Sequence, residues 1–285
     1  MNFHIGCAVW SYKGWVGDFY PLKSRSSDFL RLYSDRLPAV EGNTTFYAIP
    51  DTDTLNRWVE QTPTDFKFCL KLPRDLTHQG LLEPAIDGAL NFLERMQVLG
   101  ERTGPIFAQL PPSYSPNSLD DLTKFLAAWS HVSQAPLALE VRHPDWFVEP
   151  YQSQLTSVLE HLGIGRVLLD SRPIYNAPDD PQLSSERRKP KLPVEFSVTA
   201  PFSLIRFISH PQQQFNQVYW EEWVGYIDLW LRQGKQIYFF VHCPIEKRSP
   251  GNARYFHQLL QQHHVPIPPL PWDKITDSPT QLNLF

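Results

Sequence analysis

The sequence contains little of the chemistry that marks several common protein classes. It has only three cysteines in 285 residues and no Cys-x-x-Cys pair, so neither a disulfide framework nor a cysteine-based zinc site is indicated. No apolar run approaches the roughly 18 residues that a membrane span needs. The first residues lack a basic region followed by a long apolar core, which a secretory signal would require. We therefore expect a cytoplasmic protein, with no membrane partner, whose cysteines are buried thiols.

Basic charge and several catalytic motifs are missing as well. The formal net charge is −4, so any contact with nucleic acid would have to be local rather than spread over a basic surface. No G-x-G-x-x-G follows the first strand-like run, which argues against a dinucleotide-binding sheet. The G-x-S-x-G elbow of serine hydrolases and the H-E-x-x-H of zinc proteases are also absent.

What the sequence does contain is a regular alternation of two patterns. Eight short apolar runs recur, and seven of them precede a segment with helical periodicity; the runs are HIGCAVW, AVEGNTTF, FKFCLKLP, GPIFAQLPP, PLALEVRH, GRVLLDS, FSLIRFIS and QIYFFVHCP. Continuously apolar strands are typical of parallel sheets buried on both faces. The alternation predicts a single α/β domain over residues 1–264, a TIM-type (β/α)₈ barrel. An open doubly wound sheet is the alternative.

Two segments fall outside this alternation. Residues 171–200 form a Pro-rich polar insertion after strand six, which in a barrel would lie over the mouth formed by the carboxyl ends of the strands. Residues 265–285 are rich in proline and are expected to form an extended tail.

Polar and charged side chains stand where the predicted strands end. In barrel enzymes this end carries the active site, so we expect these side chains to face one cavity. The four candidate catalytic residues are Glu41, Lys71, Glu140 and Arg142. The candidate substrate-binding residues are Trp10, Asn43, Thr45, Tyr47, His78, Gln109, His143, Trp146, Asp170, Arg206 and His242.

These residue types allow several chemistries. Glu41 and Glu140 could form a general acid/base pair, as in a metal-free glycoside-type hydrolase, if crowding raised the pKa of one of them. Lys71, Arg142 and Arg206, with the basic run ERRKPK of the insertion, favour a phosphate-bearing or nucleic-acid substrate. The same charges could instead neutralise one another as a buried ion-pair network with no substrate at all. A non-catalytic binding module that uses the mouth to recognise a ligand is a further alternative. No cofactor is assigned, and a divalent metal remains an alternative because dispersed His and carboxylate ligands leave no local motif.

A family resemblance rests on five longer motifs. The segments GCAVWSYKGWVGDFYP, VEGNTTFYAIP, FKFCLKLPRDLTH, AQLPPSYSP and LEVRHPDWF resemble the YecE-like family, also called domain of unknown function 72. The resemblance extends from about residue 5 to about residue 260 and implies a TIM-type barrel, but no reaction. The eighth-strand segment VHCPIEKRSPGNARYF departs from the amide-rich form common in that family.

The last five residues suggest a partner. Gln281, Leu282, Leu284 and Phe285 lie in the sequence QLNLF, which is similar to the peptide that binds the bacterial sliding clamp. A Leu and a Phe at the end of a flexible segment could anchor in hydrophobic pockets of such a partner. The alternative is that these side chains pack on the barrel's own surface. Clamp binding would link the protein to DNA replication or repair.

Overall fold

Eight parallel strands, surrounded by helices, form a nearly closed barrel. The computed structural model describes residues 2–133, 135–183, 185 and 188–275. The strands are β1 (Phe3–Cys7), β2 (Ala39–Gly42), β3 (Lys67–Leu70), β4 (Ile106–Gln109), β5 (Leu137–Glu140), β6 (Gly165–Asp170), β7 (Phe202–Ile208) and β8 (Gln236–His242). The predicted barrel is therefore confirmed, and the open-sheet alternative is wrong.

Six longer helices and three shorter ones connect or follow these strands within the described ranges. They are α1 (Phe29–Ser34), α2 (Thr52–Gln61), α3 (Arg74–Thr77), α4 (Ile86–Met96), α5 (Leu119–Val132), α6 (Tyr151–Leu162), α7 (Arg172–Tyr175), α8 (Gln217–Arg232) and α9 (Ser249–Gln262). Helix α8 shows why they pack outside: its buried residues Trp220, Trp223, Val224, Ile227 and Leu231 recur at helical spacing and face the strands. No helix of the described part of the chain has the length and apolar character to cross a membrane.

The strand order is β3-β2-β1-β8-β7-β6-β5-β4. The barrel closes between β3 and β4 through isolated bridges rather than a continuous ladder, with the Leu72 amide donating to Phe107 O at 2.9 Å. Between β1 and β2 the Tyr33 hydroxyl is inserted: it accepts from the Cys7 amide at 2.7 Å and donates to Ala39 O at 2.9 Å. Gly6 is needed beside it, because a Cβ there would lie 1.9 Å from Ala39 O.

The interior of the barrel is filled below its mouth. Alternate strand residues point inward and form one apolar cluster: Ala39, Cys69, Phe107, Ala138, Val167, Ala200, Phe202, Leu204, Tyr238 and Phe240. Because side chains alternate along a strand, the next inward positions toward the carboxyl end are two residues further on. Those positions include Glu41, Lys71, Glu140, Arg206 and His242. The polar residues therefore form the layer above a packed core.

The two irregular segments lie as follows. The insertion begins with α7, and its described residues after α7 form no strand or helix. It reaches the mouth, where Lys189 Nζ lies 3.4 Å from His242 Nδ1. Residues 265–275 pack back on the barrel, since Val265 and Leu270 are buried and Trp272 stacks edge-on against Phe19. The predicted extended tail is thus attached to the barrel over its first part, and the rest of it lies outside the described residues. All three cysteines are buried, as expected.

Candidate functional site

Arg206 stands at the centre of the polar layer and joins two strand ends. Its guanidinium donates two hydrogen bonds to the Glu41 carboxylate, at 2.8 and 2.9 Å, and a third to Glu140. All three side chains are at most 3% exposed. Charged groups removed from water are tolerated when paired in this way, so the convergence predicted from sequence is an ion-pair network.

Further side chains complete the hydrogen bonding of the two carboxylates. Glu41 accepts from Asn43 Nδ2 at 2.7 Å and lies 2.9 Å from His242 Nε2. Glu140 accepts from Arg142 Nε at 2.7 Å. Every carboxylate oxygen of the pair therefore has a partner, and the network is anchored at the ends of four strands, β2, β5, β7 and β8.

These contacts decide the ionisation of the pair. Burial alone would raise the pKa of Glu41, but the Arg206 charge and His242 outweigh it and hold that pKa well below its usual value. Burial is likewise outweighed at Glu140, where Arg206 and Arg142 lower the pKa to about 2. The expectation that crowding would raise one of the two pKa values, and so create a general acid, is wrong because the arginine lies between the two carboxylates.

A cavity of about 450 Å³ opens above the network. Residues that line it come from the strand ends, from the segment after β8 and from the insertion: Ala8, Val9, Asn43, Phe46, Tyr47, Lys71, Arg74, His78, Gln109, Arg142, Arg188, Lys189, Arg206, His242, Cys243 and Glu246. A larger cleft of about 630 Å³ lies beside α4, but Glu94 is the only charged side chain of its lining. Charge, rather than volume, marks the mouth as the candidate site.

Lys71 is the most unusual group of the cavity. Its Nζ donates to Gln109 Oε1 at 2.7 Å and lies 3.6 Å from the centroid of the Phe46 ring. No carboxylate of the described residues forms an ion pair with it. Burial, followed by the nearby Arg206 charge, lowers the pKa of Lys71 to about 7.

Other titratable groups of the cavity also have shifted pKa values. Burial is also the main reason why the pKa of His78 falls to about 4 and that of Lys189 to about 8. His78 packs edge-on against Phe46, with 5.1 Å between ring centroids, and its Nδ1 lies 2.8 Å from Thr77 Oγ1. At Glu246, burial raises the pKa to about 7, and its Oε1 is buried with no hydrogen-bond partner in the described structure.

Eight of the residues predicted from sequence line this cavity: Asn43, Tyr47, Lys71, His78, Gln109, Arg142, Arg206 and His242. Glu41 and Glu140 lie directly beneath it, bound to Arg206.

Five predicted substrate-binding residues do not reach the cavity, contrary to the expectation. Trp10 packs edge-on against Trp58 on the helix side of the sheet. Thr45 is buried and donates to backbone oxygens of the chain. Asp170, at the end of β6, also faces the helices, where it contacts Trp223 of α8.

The remaining contacts explain the other three positions. Asp170 accepts from the Trp223 indole at 2.9 Å and from Arg172 at 2.8 and 2.9 Å. Trp146 is fully buried and donates to Tyr114 O at 2.8 Å. His143 Nδ1 accepts from the Asp145 amide at 3.2 Å, at the start of a 3₁₀ turn. These side chains hold the loops and the helix layer in place.

Sequence reasoning missed Arg74 and Glu246. Arg74 begins α3 shortly after the third strand. Its position in the segment LPRDL, a basic residue just past a strand end, is a signal by which it could have been recognised. Glu246 lies in the segment after β8 that departs from the family pattern, so no motif indicated it.

The geometry does not suggest a metal centre. No three His, Cys, Asp or Glu side chains come together in a way that could hold a metal ion, within the ranges that the structure describes. His242 approaches Glu41, but Arg206 occupies both oxygens of that carboxylate. Residues 281–285, which were predicted from sequence to bind the sliding clamp, lie outside the described residues.

Fold and site together define a TIM-type barrel with a cation-rich cavity at the carboxyl end of its strands. The family model described as protein of unknown function DUF72 matches residues 4–274, and the chain belongs to this family. The UPF0759 protein YecE of Escherichia coli K12 is 33% identical, with 99% of each chain covered. The UPF0759 protein YunF of Bacillus subtilis 168 is 23% identical over 99% of both chains.

Solved structures agree in fold. A DUF72 family protein from Thermotoga maritima matches with a TM-score of 0.68 at 19% identity, covering 92% of this chain and all of the other. A DUF72 family protein from Enterococcus faecalis matches with a TM-score of 0.66 at 17% identity, covering 99% of this chain and all of the other.

Proposed function

We propose that the cavity binds a phosphate-bearing ligand. Six cationic side chains line it, Lys71, Arg74, Arg142, Arg188, Lys189 and Arg206, against one carboxylate, Glu246. Glu41 and Glu140 balance the charges of Arg206 and Arg142, and Asp180 pairs with Arg188. Lys71, Arg74 and Lys189 remain against Glu246, so the lining keeps an excess of positive charge. A cavity that is lined by one sign of charge and partly closed to water attracts ligands of the opposite sign.

The observation that carries the proposal is that Lys71 and Arg142 have hydrogen-bond donors left for a ligand. Lys71 has an amide and an aromatic ring as neighbours but no carboxylate, and Arg142 uses its Nε alone to bind Glu140 within the described structure. The terminal nitrogens of Arg142 remain for a ligand, and a guanidinium suits the geometry of phosphate oxygens.

Cavity size favours a small phosphorylated molecule over a nucleic-acid duplex. A volume of about 450 Å³ is within the range of small-molecule sites, and the insertion covers part of the mouth. A nucleic acid would enter only as a single-stranded end. Binding of oligonucleotides but not of nucleotides would favour a nucleic-acid ligand over a small phosphorylated molecule.

Isothermal titration with pyrophosphate, mononucleotides and short oligonucleotides at about 0.15 M salt tests the proposal. Arg142→Met and Lys71→Met should each weaken pyrophosphate binding by about tenfold or more, since each removes hydrogen bonds to a charged group. Arg232→Met and Lys67→Met are the matched controls, because they remove the same side chains at the other end of the barrel. The proposal fails if no anion binds, or if all four variants bind equally.

We also propose that residues 281–285 bind the bacterial sliding clamp, on the strength of the QLNLF sequence alone. A pull-down with purified clamp should recover the full chain and not a chain that ends at Thr280. Equal recovery of the two would end this proposal without affecting the first.

A further inference from the structure

We propose that Lys71 is a nucleophile that forms a Schiff base with an aldehyde or ketone carried by the phosphate-bearing ligand. The inference rests on the proposed function, because it assigns the anion to the cationic lining and the carbonyl to the lysine. It names a substrate class, a carbonyl compound that also carries a phosphate.

The surroundings of Lys71 are those of a reactive amine rather than a structural charge. A lysine that stabilises a fold is paired with a carboxylate, yet both nearby carboxylates, Glu41 and Glu140, are bound to Arg206. Lys71 instead contacts a neutral amide, Gln109, and the face of the Phe46 ring. A lysine kept in an apolar site next to another cation has a substantial fraction of free amine at neutral pH, and the free amine is the nucleophilic form.

The charges around Lys71 come from several elements and agree with that state. Burial lowers its pKa most. Arg206 on β7 and Arg142 after β5 lower the pKa further, whereas Glu140 on β5 and Glu41 on β2 raise it. His78, which follows α3, lies against the same Phe46 ring. Its pKa, lowered to about 4, leaves the imidazole neutral at pH 7, so it adds no positive charge.

The reaction balances within the cavity. The lone pair of Nζ attacks the carbonyl carbon, a carbon–nitrogen bond forms, and the carbonyl π electrons move to the oxygen. One amine proton passes to that oxygen and gives a carbinolamine. The second amine proton passes to the hydroxyl, which leaves as water with its bonding electrons while the nitrogen lone pair forms the C=N bond. The neutral imidazole of His78 and the Glu246 carboxyl, whose pKa is near 7, are two of the lining groups that can exchange protons with the reacting atoms.

Reduction with sodium borohydride tests the inference, because hydride adds to the imine carbon and fixes the ligand to the lysine. Full-length protein is incubated with glycolaldehyde phosphate, reduced, digested and mapped by mass spectrometry. We expect one adduct at Lys71, at least about tenfold more than with glycolaldehyde, which lacks the phosphate. Adduct formation at low aldehyde concentration should rise as the pH increases through about 7, as the free amine is formed.

Variants make the outcome specific. Lys71→Met should abolish the adduct, whereas Lys67→Met should leave it unchanged, since Lys67 is at the opposite end of the same strand and donates to Glu101 O. An adduct found mainly on Lys189 or spread over surface lysines would overturn the inference.

The same samples separate the two proposals. If glycolaldehyde phosphate displaces pyrophosphate in titration but leaves no adduct on reduction, the cavity binds the anion and the Schiff-base inference alone fails. If neither compound binds, the proposed function fails with it.

Discussion

Lys71 occupies a position that a residue chosen only for stability would not occupy. Its amine is buried, lies beside the Arg206 guanidinium, and has no carboxylate partner in the described structure. Groups that are held at such a cost in folding free energy are concentrated at functional sites. The surroundings of Lys71 are therefore the clearest sign, at the scale of single residues, that the cavity is a functional site.

Replacing Lys71 with methionine should stabilise the fold while weakening ligand binding. Because the folded state lowers the pKa of Lys71 to about 7, protonation is disfavoured on folding, and the penalty is complete below pH 7. It disappears as the pH rises toward the unfolded value. We expect Lys71→Met to raise Tm by about 2–5 °C at pH 6, with a smaller gain at pH 10.

Differential scanning calorimetry at the two pH values measures this effect, with Lys67→Met as the control. A fall in Tm at pH 6 for Lys71→Met, with no fall for the control, would show that the lysine stabilises the fold and would contradict this interpretation.

Anion affinity should fall as the pH rises. Lys71, with a pKa of about 7, and Lys189, with a pKa of about 8, are charged below these values and lose their charge above them. Sulfate keeps its charge over this range, so titrations of sulfate from pH 6 to pH 9 isolate the effect of the protein. An affinity that is constant or increases with pH would mean that neither lysine faces the anion.

Arg206 should be the residue whose loss costs the fold most within the network. Arg206→Met leaves Glu41 and Glu140 buried without their shared partner, which should reduce the free energy of unfolding by about 3–5 kcal/mol. Urea denaturation measures this loss. The triple variant with Glu41→Gln and Glu140→Gln should recover a large part of it, and no recovery would argue that Arg206 acts through packing alone.

At the scale of secondary-structure elements, strand parity explains which predictions from sequence were met. Glu41 and Arg206 have the parity of the inward cluster, as do Ala39 and Leu204 on the same strands. Asp170 has the opposite parity: it pairs in register with Phe207, while Leu169 pairs with Arg206. Strict alternation applied along β6 would therefore have assigned Asp170 to the helix side.

Other positions could not be assigned from alternation. Trp10, His143 and Trp146 follow the ends of their strands, where no fixed period sets the direction of a side chain. The contribution of Lys189 depends on how the part of the insertion that follows α7 crosses the mouth. That path is set by contacts distant in sequence, such as the contact of Lys189 with His242.

Asp170→Asn tests the corrected placement. The Asp170 carboxylate binds Arg172 and the Trp223 indole, so the substitution weakens the link between β6, α7 and α8. We expect a loss of about 1–3 kcal/mol in the free energy of unfolding. Pyrophosphate affinity should remain within about twofold. An affinity loss as large as that of Arg142→Met would show that Asp170 does contribute to ligand binding.

At the scale of the whole molecule, the barrel is not equally closed all round. Strands β7 and β8 pair over seven positions, whereas β3 and β4 meet through isolated bridges near Phe68 and Lys71. Lys71 thus lies beside the weakest seam of the barrel. Because few backbone hydrogen bonds join these two strands, we expect the mouth to adjust to a ligand most readily at this seam.

Native-state hydrogen exchange should detect this seam. The Leu72 and Gly104 amides, which bridge β3 and β4, should exchange about tenfold faster or more than the Phe239 amide in the centre of β8. A saturating anion should slow exchange at Leu72 more than at Phe239. Equal protection at all three positions would mean that the barrel opens as one unit.

The most direct test of the account is to locate an anion in the cavity. Crystals grown with selenate, an analogue of sulfate with an anomalous scatterer, should show an anomalous peak within hydrogen-bond distance of Lys71 Nζ and the terminal nitrogens of Arg142. The peak should be absent in Arg142→Met crystals grown at the same concentration. Peaks confined to the outer surface, with the cavity holding no anion in either protein, would contradict the account.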